Sequence, residues 1–255
     1  MPFSLQNLLP FFRKPAGGGG GGGISFVGQN FADGGSNSSW NLDLTALSGG
    51  SDSSPSANDI VVLHIGYTAS GTTSAPTLGE SSATYTDSGV FPKSNDNIDT
   101  WTVIMWKKMG GTPDTSITVT QTAGTGTTPT ASAMVRVYRG VNGTTPLDGV
   151  TPTTATVING CSVDPAAINT ATNNAWVVAF ATGGNNDATP ATDFTAGPSG
   201  YSNFYANGGA SGFGPILGSA DKLVTSAGSE DPGAFTGVSG TADSAGAVTI
   251  SLRPA

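Results

Sequence analysis

The chain has 255 residues, a formal net charge of −8 and one cysteine, Cys161. Charged residues make up 10% of it, against roughly 25% in an ordinary soluble domain. The nine Lys and Arg form no basic stripe to neutralise phosphates, which argues against nucleic-acid binding. A single cysteine excludes an intrachain disulfide and leaves a zinc site without partners.

The first fifteen residues, MPFSLQNLLPFFRKP, carry Phe3, Leu5, Leu8, Leu9, Phe11 and Phe12. Arg13 and Lys14 follow the apolar stretch and Pro10 interrupts it, so it does not read as a signal peptide. Phe3 to Leu9 could form a turn or two of helix, marginal alone in water. Six large apolar side chains in so short a peptide need a surface to cover them. That surface is either the chain's own body or another protein, and residues 1–16 are read here as an anchor for another protein. Seven consecutive glycines, Gly17–Gly23, come next. A run this long reaches about 24 Å and imposes no direction, so it separates head from body.

From Ile24 onward the pattern is that of strands. ISFVG (24–28) is short. SWNLDLTAL (39–47) alternates, with Trp40, Leu42 and Leu44 on one face. NDIVVLHIGYTASG (58–71) is a continuous apolar run. TWTVIMWKKMGG (100–111), TSITVTQTAG (115–124) and ASAMVRVYRGV (131–141) complete a first set. GVTPTTATVINGCSVD (149–164) opens a second, followed by NNAWVVAFATGG (173–184), DKLVTSAG (221–228), GAFTGVSG (233–240) and AGAVTISLRP (245–254). Short strands with Gly, Thr, Asn and Pro turns predict an all-β antiparallel sandwich or jelly roll over 24–255. NNAWVVAFATGG repeats the layout of NDIVVLHIGYTASG, which suggests two related halves, 40–148 and 149–255, contributing to one sandwich. No run of about 18 apolar residues is present to cross a membrane as a helix.

Catalytic signatures are missing. His64 is the lone histidine and sits mid-strand, where a packed role is expected rather than a catalytic one. No nucleophile elbow, P-loop or zinc-protease motif occurs. The chain is therefore expected not to be an enzyme and to need no cofactor. Asp52–Asp59 and Asn185–Asp193 are acidic loop clusters, read as turns closed by Asn and Asp side chains rather than calcium sites. Cys161 reads as a small buried apolar residue. Residues 197–217 read either as a loop whose Tyr201, Phe204, Tyr205 and Phe213 lie among Gly, Ser and Asn, a composition suited to contact surfaces, or as a strand with Tyr201, Phe204 and Tyr205 partly in the core. By alternation, Tyr201 and Tyr205 share one face and Phe204 takes the other. With Phe204 in the core, the two tyrosines form a candidate receptor contact, suited to a neutral glycan.

Three stretches carry a resemblance: Tyr138-Arg139-Gly140-Val141, Pro146-Leu147-Asp148, and the terminal Ile250-Ser251-Leu252-Arg253-Pro254. With the strands around them, they make residues 40–255 similar to a class of tailed-bacteriophage virion proteins. The resemblance implies a β-sandwich on a phage particle, in tail fibres, tail tips or surface appendages, and implies no catalytic residues. It does not extend to the head. The expectation is a virion protein assembled in the host cytoplasm, docked to other virion proteins through residues 1–16, trimeric with its own copies, and assisting adsorption to a host surface glycan. A head-decoration protein and a bacterial carbohydrate-binding module are the alternatives.

Overall fold

The computed structural model describes residues 23–71, 74–93, 98–122, 124, 127–148, 153–158, 162–184, 194–208, 214–237 and 244–255. The head residues Phe3, Leu5, Leu8, Leu9, Phe11 and Phe12, with Cys161, Phe213 and the Asn185–Asp193 cluster, lie outside them. The described residues contain strands and no helix. In the first half these are β1 (Ser25–Gly35), β2 (Ser39–Asp43), β3 (Ile60–Ser70), β4 (Thr77–Glu80), β5 (Thr86–Lys93), β6 (Ile98–Lys108), β7 (Ser116–Thr122) and β8 (Thr127–Arg139). The second half has β9 (Thr153–Ile158), β10 (Ile168–Thr170), β11 (Ala175–Gly183), β12 (Phe194–Ala196), β13 (Ser202–Gly208), β14 (Ile216–Val224), β15 (Gly228–Glu230), β16 (Thr236–Gly237) and β17 (Ser244–Leu252).

One five-stranded sheet has the order β1-β8-β3-β6-β5, and a three-stranded sheet, β2-β7-β4, covers its outer face. First pairs with eighth, second with seventh and third with sixth, which is jelly-roll winding. The second half repeats this order. Its five-stranded sheet reads β9-β17-β11-β14-β13, with β10 paired to β15 and β12 to β16 in place of the three-stranded sheet. Strand for strand, β9, β11, β13, β14 and β17 occupy the positions of β1, β3, β5, β6 and β8. The first unit begins at Ser25, so β1 belongs to it, fifteen residues ahead of the boundary read from sequence. Each half builds its own sandwich, and the halves then share a third core, which replaces the single joint sandwich expected.

Three apolar clusters hold these layers. Val61, Leu63, Ile65 and Tyr67 of β3 pack outward against Leu42, Leu44, Ile117 and Val119. Ile60 and Val62, on the other face of β3, meet Val178, Phe180, Val248 and Ile250 of the second sheet. Phe194, Phe235 and Val163 cover the far face of that sheet. β3 is therefore buried on both faces, which is why its sequence is a continuous apolar run instead of an alternation. Gly66 lets the two sheets approach: a Cβ there would lie 2.4 Å from Leu217 Cδ2 and 2.9 Å from Thr182 Cγ2.

Candidate functional site

The body has two distinct ends. Ser25 pairs with Arg139 where β1 begins, and the Ala255 amide donates to Gly140 O at 2.9 Å. The chain thus enters the body from the glycine run at the end where its last residue lies. The three motif stretches meet here too. Val141 bridges Pro254 and Leu147 bridges Leu252. The Asp148 amide donates to Ser251 O at 2.8 Å, and that of Arg253 to Pro146 O at 2.7 Å. Asp148, fully buried, accepts from the Ala171 and Thr172 amides at 2.7 and 3.0 Å and from the Thr172 hydroxyl at 2.7 Å. The motif residues lace the link between the two units onto the final strand; their role is architectural.

At the same end, the acidic Asp52–Asp59 stretch is occupied by an internal cation. Arg139 donates to Asp59 at 2.9 Å and to Asp52 at 2.8 Å, and the Ser56 amide donates to Asp59 at 2.7 Å. These bonds, Asp59 first, raise the Arg139 pKa. Among the described residues no three His, Cys, Asp or Glu side chains group as metal ligands.

In the aromatic segment the expected pairing of the two tyrosines on one solvent face is not found. Residues 202–208 take the strand alternative as β13, an edge strand paired with β14, which itself starts at Ile216 rather than Asp221. A register shift lies between Ser202 and Tyr205, where Asn203 takes φ 51°. This bulge breaks the alternation, so Tyr201 and Tyr205 do not share a solvent face. Tyr201 packs against the Phe194–Phe235 cluster. Its hydroxyl donates to Glu230 Oε1 at 3.3 Å, and Lys222 Nζ lies 5.7 Å from its ring centroid. Burial, then Glu230, pushes its phenol well above the ordinary range. Tyr205 sits opposite Ser219 and is half-buried. Phe204, expected in the core, is 36% exposed.

What seats β13 is a charge that the pattern MVRVYR disguises. Arg136 and Asp221 are fully buried and paired at 2.5 Å. Arg136 also donates to Gln29 Oε1 at 2.9 Å, Ser219 Oγ at 2.6 Å, Asn203 O at 3.0 Å and the Tyr138 hydroxyl at 2.9 Å. Asn203 Nδ2 and the Tyr138 hydroxyl donate to Asp221 at 2.7 and 3.0 Å. Burial alone would lower the Arg136 pKa, but Tyr138 and Asp221 raise it overall. One guanidinium thus ties β1, β8, β13 and β14 across both units. Its sequence signal was a lone arginine inside an apolar run, since a buried charge needs a partner. Asp221, 85 residues away, could not be found that way.

His64 is fully buried between the two sheets. Nε2 lies 2.8 Å from Thr182 Oγ1, which accepts from the Thr102 hydroxyl at 2.7 Å, and Phe180 meets the imidazole edge-on at 5.2 Å. With its oxygen accepting from Thr102, Thr182 has its own proton to give to Nε2. Burial drives the His64 pKa down to about 3, so the imidazole is neutral and packed.

Two surface hollows lie among the described residues. One, of 490 Å³, lies over β7 and is lined by Glu80, Ser82, Thr84, Tyr85, Lys107 and Asp114 among others. Its charges are internally engaged: Lys107 pairs with Asp114 at 2.6 Å, and Glu80 accepts from the Ser82, Thr84 and Tyr85 amides at 2.7, 2.6 and 3.1 Å. The other, of 330 Å³, lies at the end where the chain enters, lined by Trp176, Gly200, Ser202, Asn203, Asp221, Lys222 and Leu223. No family model, curated protein or solved structure matches this chain.

Proposed function

We propose that this chain is a structural protein of a tailed-phage particle, an appendage docked by residues 1–16 that assists host adsorption. The observation behind this reading is the polarity of the body. The glycine tether joins the β body at the end where β1 begins and Ala255 meets Gly140, and the long strands run away from there. An apolar head on a tether of about 24 Å suits a plug for another virion protein. A low-charge β body suits a spacer or binding surface. The chain works by binding and not by catalysis, carries no cofactor, and resides in virions assembled in the host cytoplasm. The host-facing contact is the β13 edge. Tyr201 and Tyr205 remain part of it, and Phe204 offers the largest apolar exposure there; its partner is a neutral surface glycan.

One phage experiment tests both halves of this reading. Deleting residues 1–16 from the gene should yield particles that lack this protein while the cell still makes it folded. Replacing Phe204 and Tyr205 by Ala should leave incorporation intact and lower adsorption, with little dependence on salt. Normal incorporation of the headless chain overturns the anchor role. Unchanged adsorption by the double variant assigns β13 to packing alone.

A further inference from the structure

Among the described residues, only two large apolar side chains are exposed, Phe204 at 36% and Leu223 at 43%. Leu223 pairs with Trp176 across β14 and β11. Together they form the apolar part of the 330 Å³ hollow, and Ser202, Asn203 and Lys222 form its polar rim. The hollow lies beside the entry of the chain. Phe26, near the start of β1, and Trp176 both lie against Tyr138, with ring centroids 5.7 and 6.3 Å from it. Phe26, Tyr138 and Trp176 belong, fully or at its edge, to the one core that both units share, and Ile24 ends in that same core.

The preceding chain carries the complementary requirement. Six large apolar side chains lie within residues 3–12, and eleven residues separate Phe12 from Ile24. That length spans up to roughly 37 Å, ample for a return to a hollow beside Ile24. The hollow has room for roughly two large side chains at protein packing density. Left in water, the head is an association hazard; the body offers an apolar seat where the tether begins.

We infer that, in the free chain, the head folds back and seats apolar side chains of residues 3–12 against Trp176 and Leu223 of its own body. The contact is a latch that stores the head until a partner competes for it. It concerns the isolated protein, and it stands or falls independently of the particle assignment.

Limited trypsin digestion of the full chain reads the latch at the Arg13–Lys14 bond, with release of fragment 1–13 followed by mass spectrometry. A seated head holds this bond away from the protease. Leu223→Asp, at a position already 43% exposed, should accelerate its cleavage about tenfold, the loss expected for one buried leucine contact. Leu8→Asp with Leu9→Asp leaves the body untouched and should accelerate it comparably, so the test survives if the Leu223 variant folds poorly. The wild-type rate should be independent of protein concentration. Equal cleavage in wild type and both variants overturns the latch. Protection that grows with concentration places the head on a second copy and overturns the intramolecular contact.

Discussion

At the scale of single residues, the two buried polar centres make opposite demands. Arg136 and Asp221 are charged and satisfied, so removing one leaves the other buried without its counter-charge. Arg136→Met should cost about 3–5 kcal/mol in urea unfolding. Adding Asp221→Leu should recover much of that loss, because the remaining charge goes as well. A double variant as unstable as the single one would mean that the surrounding hydrogen bonds, rather than the ion pair, hold the site. His64 is buried and neutral. In the unfolded chain it takes up a proton near pH 6.5, whereas in the fold it resists protonation down to about pH 3. Its contribution is therefore complete above pH 6.5 and declines as pH falls between those values, by at most about 1.4 kcal/mol per pH unit. The unfolding midpoint of the wild type should fall on acidification from pH 6.5, and His64→Asn should flatten that slope even if it is less stable throughout. Identical slopes would assign the acid response to the carboxylates.

At the scale of strands, legibility followed burial. β3 and β11 were readable because both of their faces are covered, giving IVVLHIGY and WVVAFATG. β2 is readable because one face is covered, leaving Trp40 and Leu42 in alternation. β13 is ambiguous in sequence between loop and strand because SNFYANG offers no apolar period, and its bulge breaks the alternation on which the tyrosine pairing rests. β14 was placed late because its first half, ILGSA, uses small residues where the two sheets are close. That closeness also explains Gly66. Gly66→Val inserts side-chain atoms where even a Cβ would be 2.4 Å from Leu217, and overpacking of this kind costs about 1–3 kcal/mol. A thermal melt should show the loss. Leu217→Ala in the Gly66→Val background should restore part of it, and no recovery would mean that the strain falls on Thr182 instead.

At the scale of the whole molecule, two sandwiches are stacked through a common core in a chain only 10% charged. The β1 and β13 edges are joined on one side through Arg136, and such weakly charged flanks suit packing against further copies in closed symmetry. Sedimentation of the full chain at tens of micromolar should give a trimer; a monomer at that concentration, in wild type and Leu223→Asp alike, would rule out self-association. The order of strands has a further consequence for how the protein is made. In each unit the last long strand does not add to an edge: β8 lies between β1 and β3, and β17 between β9 and β11. During synthesis, then, Ser25 waits for Arg139 before the first sheet can close, and Thr153 waits for Thr249 before the second can. Until β17 has left the ribosome, β9 and β11 have no shared neighbour and the inner face of the finished first unit is uncovered. The nascent chain is at its most vulnerable to association just before its final strand is delivered, and losing that strand would cut β9 off from the remaining β11-β14-β13 sheet instead of trimming an edge.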